Sequence, residues 1–202
     1  MQPEWVGRQL ERRGIHDERV LEAMARVPRE TFVPPGARAY AYDDAALALS
    51  HGQTISQPYV VALICQALDL NGDERVLDVG TGSGYQAAVL AELANDVVSI
   101  ERIPELAEQA RRNLAAAGYD VEVRVGDGAL GAPDRAPFEG IAVAATADDV
   151  PRPLYEQLAA GGRMVLPIGE ALVVITRTGA GARTRFLSAV RFVPLVPGLP
   201  DG

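Results

Sequence analysis

The chain has 202 residues, 48% hydrophobic and 23% charged, which is typical of one soluble globular domain with a substantial core. Its net charge of −8 disfavours a nucleic-acid surface, which needs clustered cations, and no apolar stretch is long enough for a membrane span. The first residues lack the basic and then apolar layout of a secretion signal, so we expect a cytoplasmic protein. The single cysteine, Cys65, cannot form an internal disulfide, and we expect it to be a small buried apolar residue on a helix.

The spacing of apolar residues predicts an α/β fold. Two short helices are expected first, and an irregular proline-rich stretch follows from Pro28. Strands and helices then alternate with short connections, and strand-like runs end the chain. The predicted helices cover 3–13, 16–27, 57–70, 85–94, 104–117 and 151–159; the predicted strands cover 75–79, 97–100, 121–125, 139–144, 163–166, 172–177 and 186–193. We therefore expect a Rossmann-like, doubly wound, mainly parallel sheet with helices on both faces, extra N-terminal helices and antiparallel C-terminal strands.

The most informative motif is an apolar strand that runs directly into three alternate glycines, Gly80, Gly82 and Gly84. Alternate glycines permit a sharp turn and let a ligand contact bare backbone. A dinucleotide fingerprint needs its third glycine one position later, where this chain has Tyr85. The spacing instead resembles the first motif of the S-adenosylmethionine-dependent methyltransferases, although a tight turn without a ligand would also explain it. If the loop binds S-adenosylmethionine, its residues Thr81 and Ser83 are cofactor-binding candidates as well.

Acidic residues follow or interrupt three consecutive predicted strands. Asp78 lies inside the first strand, where burial costs roughly several kcal/mol unless it is compensated. It either accepts hydrogen bonds from loop amides in a structural role, or orders the turn and meets the ammonium group of the cofactor. Glu101, followed by the further candidate Arg102, is placed to accept both ribose hydroxyls. Asp127 and Gly128 are placed to meet an adenine edge, although Gly-Asp-Gly alone is more often a simple turn.

A second group of residues, from Gly52 to Tyr59, precedes the glycine loop. Ser56 is placed as a helix N-cap, with Pro58 in the first turn. A helix start exposes amide donors and a partial positive charge, which would suit a carboxylate substrate. His51 has no acidic partner nearby in the sequence, so we interpret it as a solvated or packing histidine rather than a base.

These motifs together resemble the protein-L-isoaspartate O-methyltransferase family over nearly the whole chain. The narrowest signals are Thr-Ile-Ser-Gln-Pro at 54–58 and Arg-Phe-Val-Pro-Leu at 191–195. Further similar blocks are 27–33, 78–85, 126–128, 136–138 and 161–165. The chain departs from the family pattern at 47–50, where Leu-Ala-Leu-Ser replaces Leu-Pro-Ile-Gly, and at 143–145, where Val-Ala-Ala replaces Val-Thr-Ala. The hydroxyl missing at Ala144 is expected to shift substrate positioning or rate.

The resemblance implies methyl transfer from S-adenosylmethionine, with S-adenosylhomocysteine as product, to the free α-carboxylate of L-isoaspartyl residues in damaged proteins and peptides. A carboxyl group with a pKa near ~4 is already ionised at neutral pH, so the reaction needs neither a general base nor a metal ion. Ser56 is the catalytic candidate and would hold the carboxylate. The expected substrate-binding residues are Thr54, Ile55, Gln57, Pro58, Val193, Pro194 and Leu195, with the last segment closing over the substrate.

The resemblance also implies a monomer whose partners are isoaspartyl proteins. We expect one methyltransferase domain, with N-terminal helices and substrate loop over 1–56, a cofactor-binding core over 57–170, and C-terminal strands with the closing segment over 171–202.

Three other functions remain compatible with parts of the sequence. A nicotinamide-dependent dehydrogenase shares the sheet and the ribose-binding acid, although Tyr85 argues against it. A small-molecule or other carboxyl O-methyltransferase shares everything up to Gly84, but the 54–58 segment is not expected in it. A non-catalytic S-adenosylmethionine-binding or scaffold protein remains possible because of Ala48 and Ala144.

Overall fold

The structure is a computed structural model that describes residues 3–200. Helices α1 (Glu4–Gln9) and α2 (Glu18–Arg26) confirm the two predicted N-terminal helices. Asp17 starts α2, because its side chain accepts hydrogen bonds from the backbone amides of Arg19 and Val20. Short 3₁₀ turns then occupy the proline-rich stretch, at Arg29–Phe32 and Pro35–Tyr40.

A small hairpin leads into helix α3 (Pro58–Leu68), which confirms the predicted helix with slightly shorter limits. The hairpin pairs β1 (Leu47–Ala48) with β2 (Thr54–Ile55) in antiparallel register. The expected N-cap role of Ser56 is wrong. Gln57 is the N-cap residue of α3 and makes no side-chain capping bond. Because Pro58 takes the first helical position, where no N–H is needed, the helix begins one residue later than predicted.

The main sheet has seven strands in the order β5-β4-β3-β6-β7-β8-β9. The first five of these pair in parallel, and β8 and β9 add antiparallel strands at one side. This arrangement confirms the predicted Rossmann-like fold. The strands are β3 (Arg75–Val79), β4 (Asp96–Glu101), β5 (Glu122–Val125), β6 (Phe138–Val143), β7 (Leu158–Ile168), β8 (Ala171–Thr178) and β9 (Gly181–Ala189); the helices between them are α4 (Tyr85–Ala91), α5 (Pro104–Ala117) and α6 (Arg152–Gln157).

Both faces of the sheet are covered, and successive residues of a strand pack on opposite faces. Val76 packs in a cluster that includes buried residues of α1 to α5. Its neighbour Leu77 packs in a second cluster with Leu154 of α6. Such two-sided burial explains why the central strands are almost continuously apolar. It also makes the single buried acid of β3, Asp78, a conspicuous exception.

The carboxyl ends of the parallel strands form the edge where ligands bind in such sheets. Strand β3 lies at the centre, with β4 on one side and β6 on the other. From β3 the chain therefore winds in one direction through β4 and in the other direction through β6. The carboxyl end of β3, where the two directions diverge, leads into the glycine loop. In a doubly wound sheet this divergence creates the crevice that receives a ligand.

Two predicted boundaries are wrong near the end of the chain. Helix α6 stops at Gln157, and β7 begins at once and contains a bulge against β6, between the pairs Phe138–Leu158 and Gly140–Arg163. Strand β9 covers 181–189 instead of 186–193. The following residues leave the sheet because residues 193–195 pair with Thr146 near the end of β6. Within residues 3–200, no helix combines the length and apolar character needed to cross a membrane.

Candidate active site

The glycine loop turns sharply from β3 into α4. Gly80, Gly82 and Gly84 all have positive φ, at 91°, 54° and 91°, a region that residues with a Cβ avoid. A Cβ on Gly84 would lie 3.1 Å from the Leu114 side chain of α5, so this glycine allows helix packing. A Cβ on Gly82 would have no neighbour closer than 3.8 Å. Gly82 therefore offers open backbone to a ligand, whereas Gly84 serves the fold.

Asp78 is fully buried beneath this loop, and its partners are side chains rather than the loop amides considered above. Gln86 of α4 donates to Oδ1 and Ser99 of β4 donates to Oδ2, both at 2.7 Å. Because the Ser99 hydroxyl has one proton, it accepts its 2.6 Å bond from Thr81 of the loop. Burial raises the pKa of Asp78, and these bonds oppose the rise. The carboxylate thus joins β3, β4, α4 and the loop.

Glu101 ends β4 and holds the loop from the other side. Its carboxylate accepts hydrogen bonds from the amides of Gly82 at 2.9 Å and Ile103 at 3.0 Å. The side chain borders the cavity described below, and the residue is 6% exposed. Each carboxylate oxygen has a further lone pair, so Glu101 can fix the loop and still accept a hydrogen bond from a ligand.

Asp127 follows β5 and contacts the end of the chain. Its Oδ1 accepts from the amide of Ala129 at 2.9 Å, and its Oδ2 accepts from the amide of Gly198 at 2.7 Å. Arg102 donates to the carbonyl of Gly198 at 3.2 Å. Two residues selected for cofactor binding therefore hold the C-terminal segment over the same edge of the sheet.

One cavity opens at this edge and brings together most of the predicted site residues. Its lining includes the catalytic candidate Ser56 and the substrate-binding candidates Thr54, Ile55, Val193, Pro194 and Leu195. It also includes the cofactor-binding candidates Gly80, Thr81, Gly82, Ser83, Glu101, Arg102 and Gly128. Five predicted residues lie outside its lining, namely Gln57, Pro58, Asp78, Gly84 and Asp127. Gln57 instead lines an adjoining groove and donates its side-chain amide to Asp44. Pro58 is buried at the start of α3.

Other lining residues were not selected from the sequence. They are Gln53, Val61, Val79, Tyr85, Gln86, Ile100, Ile103, Ala144, Ala145, Phe192 and Val196. Of these, Phe192 and Val196 belong to the segment that the resemblance expects to close over the substrate, and Gln53 belongs to the group from Gly52 to Tyr59, although none of the three has an individual predicted role. Ser99, which lies under the loop without lining the cavity, carried a signal of its own. It is a polar residue between the apolar residues Val98 and Ile100 of β4.

The segment over 192–196 is attached to the sheet through Thr146. The amide of Thr146 donates to the carbonyl of Val193 at 2.8 Å, and its carbonyl accepts from the amide of Leu195 at 2.7 Å. Through this pairing, the segment after β9 lies alongside the chain that leaves the carboxyl end of β6. It holds Val193, Pro194 and Leu195 opposite the glycine loop as one wall of the cavity.

Arg29 is fully buried behind the part of the cavity wall that Ser56 and Tyr85 form. It donates to the carbonyl of Ala41 and to the carbonyl of Ser56, both at 2.7 Å. Its guanidinium carbon lies 4.5 Å from the centre of the Tyr85 ring. Burial lowers the pKa of Arg29 and raises the pKa of Tyr85 to about 12, so at neutral pH the arginine is charged and the tyrosine is neutral.

Two predictions about other polar residues are confirmed. His51 is exposed, in the turn of the β1–β2 hairpin, and does not line the cavity. Cys65 is buried on α3, where burial raises the pKa of its thiol. In the part of the chain that the structure describes, no three His, Cys, Asp or Glu side chains are grouped so that they could hold a metal ion.

Comparisons with known proteins agree with this geometry. A family model described as protein-L-isoaspartate(D-aspartate) O-methyltransferase matches residues 2–199. Protein-L-isoaspartate O-methyltransferase 2 of Marinobacter nauticus is 57% identical over 195 residues, which cover 93% of this chain and 89% of that protein. The protein-L-isoaspartate O-methyltransferase of Methanoculleus marisnigri is 49% identical over 198 residues, which cover 96% of this chain and 90% of the relative.

Solved structures give the same result. A protein-L-isoaspartate O-methyltransferase superposes with a TM-score of 0.84 at 29% identity, covering 95% of this chain and 65% of that chain. A crystal structure from Plasmodium falciparum, described as a protein-L-isoaspartate O-methyltransferase in complex with S-adenosyl-L-homocysteine, gives 0.82 at 27% identity, covering 95% and 96%. Since the family model spans nearly the whole sequence and the relatives match over almost their full length, this chain belongs to the protein-L-isoaspartate(D-aspartate) O-methyltransferase family.

Proposed function

We propose that this protein transfers a methyl group from S-adenosylmethionine to the free α-carboxylate of L-isoaspartyl residues in damaged proteins and peptides, which starts their repair. The observation that supports this most directly is the composition of the cavity. The glycine loop and Glu101 share it with Thr54, Ile55 and Ser56, and with the segment from Val193 to Leu195. A donor site at the glycine loop and an acceptor site at these residues would therefore adjoin, as methyl transfer requires.

The residues present fit the proposed cofactor. Gly82 presents backbone without a Cβ, and Glu101 retains lone pairs that can accept from ribose hydroxyls. Gly80, Thr81, Ser83, Arg102 and Gly128 would complete the cofactor site, since all of them line the cavity. S-adenosylmethionine supplies, when bound, an electrophilic methyl group on a positively charged sulfur.

Asp78, Gly84 and Asp127 support that site from outside the lining. We assign Asp78 to positioning the loop, because both its oxygens accept bonds from neighbouring side chains. Gly84 lets the loop pack against α5. Asp127 would meet adenine while it holds Gly198, which requires a lone pair of its carboxylate to remain available.

On the acceptor side, Ser56 would hold the substrate carboxylate. That carboxylate is ionised at neutral pH, so no residue has to remove a proton from it. Ile55, Val193 and Leu195 contribute apolar surface to the cavity and would exclude water around the reacting groups. A dry site favours a reaction that neutralises charge, and alignment of the two groups can supply on the order of 7 kcal/mol.

The departure at Ala144 falls directly on this cavity. Ala144 lies at its wall, and a Cβ on Gly80 would be 3.5 Å from the Ala144 Cβ. A threonine there would add a hydroxyl beside the glycine loop. We therefore keep the expectation of a shifted rate or substrate position. Ala48 lies in β1, outside the cavity lining.

We further propose that the protein works as a monomer in the cytoplasm, as one methyltransferase domain whose partners are isoaspartyl proteins and not nucleic acids. The net charge of −8 supports the last point, because it would oppose binding to phosphate backbones.

The test is methyl transfer from radiolabelled S-adenosylmethionine to an isoaspartyl peptide and to its normal aspartyl twin. The proposal expects labelling of the first peptide and none of the second. Equal labelling of both would favour a general carboxyl methyltransferase. Tight cofactor binding without transfer to either peptide would favour a non-catalytic binding protein.

A further inference from the structure

Arg29 is a buried cation that has no direct part in the proposed methyl transfer. It is the only buried arginine among residues 3–200. Its Nε and one Nη donate to carbonyl groups, whereas the other Nη is buried without a hydrogen-bond partner. The adjacent acid, Glu30, accepts a hydrogen bond from the Tyr42 hydroxyl instead of pairing with Arg29. A buried guanidinium without a carboxylate partner is costly, so its position calls for a compensating function.

The contacts of Arg29 direct its charge towards the acceptor side of the cavity. It holds the carbonyl of Ser56, and Ser56 and Tyr85 both line the cavity. The face of the Tyr85 ring receives the cation. Arg29 itself does not line the cavity. Arg29 can therefore influence a ligand only through the Ser56 peptide group and through the electric field of its own charge in the cavity.

We propose that Arg29 is a positioning residue for the methyl-accepting carboxylate, because it fixes the Ser56 segment by its backbone and places an unneutralised positive charge behind the wall that receives this anion. The inference rests on the proposed function. It predicts that the substrate carboxylate provides the anionic partner that no carboxylate among the described residues of the protein provides for Arg29. In a poorly hydrated interior such an attraction is screened far less than at the surface.

Two peptides separate an electrostatic role from a merely structural one. The first contains an isoaspartyl residue with its free α-carboxylate, and the second has the same residue as the α-carboxamide. Binding of each is measured by calorimetry with saturating S-adenosylhomocysteine, for the wild type, Arg29→Gln and Arg29→Lys. Gln removes the charge and keeps a donor, whereas Lys keeps the charge and loses the planar fork.

We expect Arg29→Gln to weaken binding of the carboxylate peptide about tenfold and to change binding of the carboxamide peptide less than about twofold. Arg29→Lys should keep most of the preference for the carboxylate. A parallel loss for both peptides, or no loss for either, would overturn the proposal. Thermal unfolding and S-adenosylhomocysteine affinity identify variants that are misfolded.

A measurement on the wild type keeps the test valid if the variants do not fold. With ¹⁵N-arginine labelling, the Nε–H signal of Arg29 should shift when the carboxylate peptide is added to the complex with S-adenosylhomocysteine, and not when the carboxamide peptide is added. Equal shifts with both peptides contradict the electrostatic role. Failure of the proposed function is recognised separately, because the wild type would then either methylate no isoaspartyl peptide or label the aspartyl peptide equally.

Discussion

Residues proposed to bind the cofactor also hold the fold together. The sequence predicts Glu101 as a ribose-binding acid, and its two oxygens already hold the amides of Gly82 and Ile103. Asp127 was selected for adenine, yet it holds Gly198. These bonds preorganise the loops before a ligand arrives, which lowers the entropic cost of binding.

Replacing Ser56 by Ala tests the proposed acceptor role with little disturbance of the fold. Since Gln57 and not Ser56 precedes α3 as its N-cap, the change should alter the free energy of unfolding by less than about 0.5 kcal/mol. Loss of a hydrogen bond to a charged group should lower kcat/KM for an isoaspartyl peptide about tenfold or more. Ser50→Ala, at an exposed position outside the cavity, is the matched control. Wild-type kcat/KM in Ser56→Ala would remove Ser56 from the mechanism.

Replacing Gly128 by Ala tests why the Gly-Asp-Gly turn needs its second glycine. A Cβ at Gly128 would lie 2.6 Å from Cγ1 of Val79, whereas a Cβ at Gly126 would lie 3.5 Å from its nearest neighbour, Ile100. We expect Gly128→Ala to cost about 1–3 kcal/mol of stability and to weaken S-adenosylhomocysteine binding. Gly126→Ala should stay within about 1 kcal/mol of the wild type. Denaturant unfolding and calorimetry provide both values, and equal effects of the two changes would refute the steric explanation.

At the scale of elements, strand register decides which side chains meet. Asp78 of β3 and Ser99 of β4 are register partners, and this pairing brings the Ser99 hydroxyl to the buried carboxylate. A shift of one residue would turn Ser99 towards the other face of the sheet. The sequence predicts both strands and their apolar character, but it contains no local signal for their register.

Ion pairs join the amino ends of three strands, at the end of the sheet opposite the cavity. Arg75 starts β3, Asp96 starts β4 and Glu122 starts β5. Asp96 accepts from Arg75 at 2.8 Å and from Arg135 at 2.9 Å, and Arg135 also pairs with Glu122. These charges lie near the surface but share partners, so they act as a network rather than as isolated pairs.

Asp96→Asn should make stability less dependent on pH. The hydrogen bond from Arg75, and then that from Arg135, hold the pKa of Asp96 below its usual range. A lowered folded-state pKa adds stability above the unfolded pKa, and this stability is lost as the pH falls through the folded pKa. We expect a loss of about 1 kcal/mol at pH 7 that disappears in acid. Urea unfolding at several pH values measures it, with the exposed Asp120→Asn as control. A loss that persists unchanged below the folded pKa would contradict this explanation.

For the whole molecule, the site is assembled from three distant parts of the chain. The hairpin and start of α3, the glycine loop, and the segment after β9 contribute separate walls of one cavity. The last of these is held by Thr146, Asp127 and Arg102, which follow three different parallel strands. Ligand binding should therefore stabilise all three walls together.

Hydrogen exchange tests this coupling. Saturating S-adenosylhomocysteine should slow exchange of the Gly82, Leu195 and Gly198 amides by about tenfold or more, because binding disfavours local unfolding of the segments around the cavity. Amides in the β8–β9 turn, at 179–180, should change little, since they lie outside the cavity. Mass-spectrometric peptide maps with and without the ligand report all of these regions. Protection confined to the glycine loop would show that the C-terminal segment is not coupled to the cofactor site.

The sequence by itself determined the order of helices and strands in the main sheet, the glycine loop and the narrow motifs at 54–58 and 191–195, but not the β1–β2 hairpin, because each of the former depends on residues that are close together in the chain. The tertiary structure alone placed Ser99 against Asp78, Arg29 behind Ser56, and Gly198 on Asp127. These contacts join residues 21, 27 and 71 positions apart. Their existence depends on strand register and on how loops cross the sheet edge, and no local pattern in the sequence specifies either.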